Sequence, residues 1–123
     1  MPNPRVETWL AAQDGAAIYL TTVSEAELWY GVAILPAGRK RNDLAAAIEA
    51  ILEDDFCGRI LTFDRVAARV YADIAAVRRA MGHPIGQFDC QIAAIARVHA
   101  AAVATRNHMD FADCGISVLN PWL

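Results

Sequence analysis

Lysine is nearly absent. Lys40 is the only one among 123 residues, and the formal net charge is -3. Such a chain has no broad basic surface, so nucleic acid must meet a local site or arrive through a partner. Paired cysteines are also lacking: Cys57, Cys90 and Cys114 form no CxxC and are odd in number. This argues against a disulfide framework and suits reduced thiols buried as small apolar residues. His83, His99 and His108 show no HxxxH or HxH spacing, so zinc is not expected. No apolar run approaches the length of a membrane span, and MPNPRVETW has no h-region; a cytoplasmic protein away from membranes is expected. Repeats, low-complexity tracts and linkers are missing too.

What remains is apolar and ordered. Hydrophobic residues make up 56% and charged ones 20%, enough for one domain over residues 1–123 with its own core. Pro4 suits the first turn of a helix that VETWLAAQ continues and Asp14-Gly15 stops. AAIYLT is expected as a strand. Thr22 and Ser24 are offered as caps for SEAELWYGVAIL, which Pro36-Ala37-Gly38 ends. NDLAAAIEAILEDD is a further helix with Leu44, Ile48, Ile51 and Leu52 on one stripe. GRILTF is a strand, Asp64 caps DRVAARVYADIAAVRRAMG, and Gly82-His83-Pro84 breaks the chain before a helix starting near Gln87. AAVAT and ISVLN are strands, with RNHMDFADCG between them as a loop that holds a helical turn. Helices alternating with short, apolar, unpatterned strands predict an α/β fold with a mainly parallel sheet, its strands buried on both faces.

Loops at the carboxyl ends of parallel strands line binding crevices. Glu27 follows AAIYLT, Asp110 follows AAVAT, and Asp89 opens the helix leading into AAVAT. Acids in a first helical turn interact favourably with the helix dipole, which suffices for Asp64 and for Glu25, read as facing water. It is weaker for Glu27, set among Ala26, Leu28, Trp29 and Tyr30, and for Asp89, which shares a face with Ile92, Ala93 and Ala96. A buried carboxylate needs a partner or a metal. Crowded carboxylates would suit a hard divalent cation, Mg²⁺ or Mn²⁺, able to activate water against a phosphodiester. A receiver-like phosphate-accepting fold would want a lysine in a late loop, and Lys40 lies on or beside a helix instead.

TTVSEAELWYGVAILPAGRKRNDL resembles the second-acid segment of PIN-domain ribonucleases of the VapC toxin type, GQFDCQIAAIA their third-acid helix, and VATRNHMDF their fourth-acid loop. VLNPW is similar to a common ending of that branch. The resemblance runs over essentially the whole chain, and four motifs in the right order make it specific. It implies a three-layer α/β/α PIN-like fold with a mainly parallel sheet. It also implies a metal-dependent endoribonuclease, the toxin of a type II toxin–antitoxin pair. Its substrate would be RNA, and its partner an antitoxin that alone binds operator DNA; homodimers are common in the family. Carried over by position, Glu27, Asp89 and Asp110 are the metal-binding acids, Thr105 and Asn107 the polar residues beside the last of them. Arg106 meets phosphate or forms a structural ion pair. The family opens with a strand ending in an L-D-T-N-type motif, and this chain aligns after it. The resemblance therefore implies that the first strand and its Asp are lacking. The alternative function is a catalytically impaired PIN domain that only binds antitoxin. Apolar residues on the helices at 22–35 and 42–54 are expected to form a groove covered by a partner. Trp9, Trp29 and Tyr30 are candidates for an apolar contact surface.

Overall fold

The computed structural model describes residues 4–13 and 17–121. The expected stop at Asp14-Gly15 lies outside them. The chain divides into two compact units, one of Met1–Gln13 with Phe63–Leu123, the other Asp14–Thr62.

The Asp14–Thr62 unit holds β1 (Leu20–Thr21), α2 (Thr22–Ala33), α3 (Arg39–Ala50) and β2 (Ile60–Leu61), with a π-helical turn at Ile51–Asp55. Thr21, one residue ahead of the expected caps, is the N-cap of α2: its Oγ1 accepts from the Ser24 N–H at 3.0 Å. The helix then runs through residues apolar on nearly every side, and docking decides which face is buried. Val32, Ile48 and Leu52 form the buried cluster, with Leu20, Trp29, Ala45 and Ile60 packed against it. The stripe expected on the second helix is thus half right. Ile48 and Leu52 point inward, whereas Leu44 and Ile51 are exposed.

The other unit contains α1 (Pro4–Ala12), α4 (Arg65–Ala80), α5 (Gln87–Val98), β3 (Val103–Ala104), a 3-10 turn at His108–Phe111, and β4 (Val118–Leu119). Asp64 caps α4 as its position predicts, its Oδ1 accepting from the Ala67 N–H at 2.9 Å. Helices α4 and α5 pack against each other, and α5 buries Cys90, Ala93, Ala94, Ile95 and Ala96. That continuous run of small and branched residues lets α5 serve as the unit's centre. Gly82 (φ 77°) reverses the chain after α4, closed by His83 N–H to the Arg78 carbonyl at 3.0 Å. Glycine adopts this left-handed turn without the steric cost other residues meet.

Both strand pairs are parallel, Leu20 opposite Ile60 and Val103 opposite Val118. Strand direction is as expected; strand length is not. AAIYLT, GRILTF, AAVAT and ISVLN contribute only two ladder residues each, and the strands are half-buried or mixed in exposure rather than buried throughout. An apolar segment becomes ladder only where a neighbour supplies donors and acceptors. Each strand here has a single partner among the described residues.

Candidate functional site

Asp89 stands in the first turn of α5, after an N-cap, Gly86, that makes no side-chain capping bond. Its flanking residues diverge: Phe88 is exposed and Cys90 is fully buried. Asp89 itself is half-buried. A helix N-terminus favours the ionised carboxylate, yet the pKa of Asp89 is raised above its ordinary value. Burial contributes most, and the Asp110 carboxylate adds to it through charge repulsion. Helix α5 packs against the His108–Phe111 turn, which brings the Asp110 charge within reach of Asp89 although the rest of α5, β3 and the following loop separate them along the chain.

The Asp110 loop is shaped by its own polar residues. Thr105 Oγ1 accepts from the Asn107 N–H at 3.0 Å, and the Asn107 carbonyl accepts from the Asp110 N–H at 3.0 Å. Thr105 is also tied to β4, its N–H donating to the Leu119 carbonyl at 2.9 Å. Thr105 and Asn107 thus set the turn that carries Asp110. Arg106 between them is exposed. Phe111, next to Asp110, is buried and anchors the turn.

Glu27 belongs to the Asp14–Thr62 unit, on α2. Its apolar sequence neighbours suggested an embedded group, and the structure corrects this: Glu27, Ala26, Leu28 and Tyr30 are all exposed. Glu25, read as facing water, is half-buried and accepts from Trp29 Nε1 at 3.2 Å. The inward face of α2 runs through Glu25, Trp29 and Val32, four and three residues apart. Glu27 falls between them.

One residue was missed entirely. Arg78, near the C-terminal end of α4, is only 7% exposed. Its Nε donates to the His83 carbonyl at 2.7 Å, and one Nη donates to the carbonyls of Asp110 at 3.0 Å and Ala112 at 2.9 Å. Nothing in RVAARVYADIAAVRRA marks Arg78 apart from Arg79, since its partners are main-chain oxygens far along the chain.

Two carboxylates close enough to repel offer the hard oxygen donors that a small divalent cation takes, and leave ligand positions open. Asp89 and Asp110 are the residues that fit such an ion by donor chemistry. Among the described residues, no group of three or more His, Cys, Asp or Glu is gathered to hold a metal. Nor, among them, is any helix long and apolar enough to cross a membrane.

A family model described as the PIN domain matches residues 2–115. VapC ribonuclease Y4jK of Sinorhizobium fredii is 38% identical over 121 residues, which is 98% of this chain and 86% of that protein. Toxin FitB of Neisseria gonorrhoeae is 40% identical over 98% of this chain and 87% of its own length. A solved structure of FitAB bound to a DNA fragment matches with a TM-score of 0.95 and 38% identity, covering 100% of this chain and 86% of that one. The α/β fold is the PIN-like fold expected of the motifs. On the family match and these identities, the chain belongs to the PIN-domain family, in its VapC- and FitB-like toxin branch.

Proposed function

We propose that the protein is a metal-dependent endoribonuclease, the toxin of a toxin–antitoxin pair, cleaving RNA at Asp89 and Asp110 in the cytoplasm. The observation that carries this reading is the Asp89–Asp110 pair, held together at a cost in charge repulsion. A carboxylate such as Asp89, whose charged form is disfavoured by burial and by a like charge, is a candidate for a functional role. The kinship with a VapC ribonuclease and a toxin supports the reaction class.

In this reading Asp89 and Asp110 hold Mg²⁺ or Mn²⁺, and Glu27 is a third ligand on the family resemblance alone. The bound ion would supply charge neutralisation and an acidic water for attack on phosphorus. The chain's own residues do the positioning. Thr105 and Asn107 fix the turn that aims the Asp110 carboxylate, and Arg106, exposed beside it, meets an RNA phosphate as a bidentate donor. The partner is an antitoxin, in keeping with a matched structure of the two-component FitAB on DNA, and operator DNA is reached only through it. The toxin itself is expected to be a homodimer.

A second reading, an antitoxin-binding PIN domain that does not cleave, is favoured by one observation. Among the described residues no third acidic or metal-ligating side chain joins the pair. A single experiment separates the two: single-stranded RNA is incubated with the protein plus Mg²⁺ or Mn²⁺, with chelator, and with the Asp110→Asn variant. The nuclease reading expects cleavage that chelator abolishes. It also expects Asp110→Asn to reduce cleavage by more than about 100-fold, the upper range for loss of even an indirect partner of a metal. Metal-indifferent cleavage, or none at all beside tight antitoxin binding, rejects it.

A further inference from the structure

Burying a guanidinium is expensive unless every donor is used. Arg78 is buried, and among the described residues its partners are main-chain oxygens and the Cys114 sulfur, 3.7 Å from one Nη, with no carboxylate. A leucine at such a site would fill the space without the desolvation cost. The charge is therefore explained by what it grips.

What it grips is the main chain on either side of Phe111. The Asp110 and Ala112 carbonyls converge on one Nη, while Nε on the other side of the fork holds the His83 carbonyl beyond the end of α4. Asp113, the next residue, takes a left-handed φ of 59°, so the loop turns sharply just past the clamp. Since α4 packs on α5, and α5 carries Asp89, the clamp references the Asp110 turn to the helix pair that sets Asp89. A lysine could not do the same, because a single ammonium cannot reach oxygens on two sides of a planar fork.

We propose that Arg78 is the positioning residue of the acidic site, holding the Asp110 main chain so that its carboxylate stays opposite Asp89. Arg78 bonds to the Asp110 main-chain carbonyl rather than to a carboxylate, so it acts through the loop. The effect on cleavage rests on the nuclease reading, whereas the effect on the loop does not.

The test is amide hydrogen exchange on the full chain and its Arg78→Lys and Arg78→Gln variants, beside RNA cleavage and Mn²⁺ titration. The amides of residues 110–114 should exchange about tenfold or more faster in both variants, with α5 amides within about twofold of the parent. Loop exchange that is unchanged, or that rises together with α5, overturns the proposal. If neither variant folds, the parent decides. Its Asp110 and Ala112 amides should exchange only through the denaturant-dependent opening that exposes α4 and α5. Exchange by local fluctuation, indifferent to denaturant, overturns it. In the cleavage assay Arg78→Lys should lower kcat about tenfold with KM within about twofold, and weaken Mn²⁺ binding. Full cleavage from a loosened loop sinks the positioning role. A parent that neither cleaves RNA nor binds Mn²⁺, with the exchange result intact, sinks the nuclease reading and leaves Arg78 holding the loop.

Discussion

Asp89 is pulled in opposite directions. The N-terminus of α5 favours its charge, by about 0.3–1 kcal/mol for such positions, while burial and Asp110 disfavour it and prevail. A carboxyl whose folded-state pKa is raised contributes stability below its unfolded value, near 3.8. That contribution is lost as pH rises through the folded-state value. Without metal, Asp89→Asn should therefore raise the melting temperature at pH 7, and the difference should vanish in acid below the unfolded value. The gain should stay under about 1 kcal/mol, because the group is partly solvated. Melting curves of both proteins across pH check this, and a variant less stable than the parent at pH 7 contradicts it. Asp89 was legible in the sequence because a carboxylate beside Ile92 and Ala93 demands a reason. Glu25 and Glu27 were read the wrong way round. Helix α2 is apolar on almost all sides, so its sequence leaves the buried face to the docking of α3, and Arg78 was hidden because backbone carbonyls leave no mark on composition.

Whole elements were more legible than their ends. Caps and breakers located α2, α4 and α5 near their places, since a helix satisfies its own backbone and advertises itself locally. Strands need partners, and four apolar segments yielded ladders of two residues each. Helix α5 ends in a motif that invites a test. The Ala101 N–H reaches the Ala96 carbonyl at 2.8 Å, with Ala100 at φ 51°. An alanine pays roughly 1–2 kcal/mol for left-handed backbone that glycine adopts freely. Ala100→Gly should thus stabilise the protein by about 1 kcal/mol, less the extra freedom it gives the unfolded chain. In the other unit, Ile48 is 6% exposed at the centre of its cluster, and Ile48→Ala should cost about 2–4 kcal/mol in denaturant unfolding. Tyr30 and Ile34, one turn apart on and just past α2, are 67% and 64% exposed. As the anticipated antitoxin-facing surface, they should tolerate Tyr30→Lys with Ile34→Lys without loss of fold, while complex formation in co-purification weakens more than about tenfold.

At the scale of the molecule, the family and its order of elements could be read directly, because one PIN model matches residues 2–115 and so spans both units. Any divalent ion that binds only the folded protein should stabilise it by mass action, by about 2.7 kcal/mol at a hundred times its dissociation constant. Thermal melts with Mg²⁺ or Mn²⁺ should show that gain for the parent and not for Asp110→Asn; equal gains in both would detach the metal from the acidic pair. The cysteines offer a different handle. Cys57 is exposed in the turn after the π-helical stretch, whereas Cys90 and Cys114 are buried, and burial first of all pushes the Cys90 thiol up to about 11. Only thiolate reacts with electrophilic dyes, so at neutral pH one equivalent should couple promptly, at Cys57. The other two should wait for the packing of α4 and α5 to open. A dye-labelling time course then becomes a stopwatch on the unit that holds α4 and α5, with its fast phase marking the Asp14–Thr62 unit.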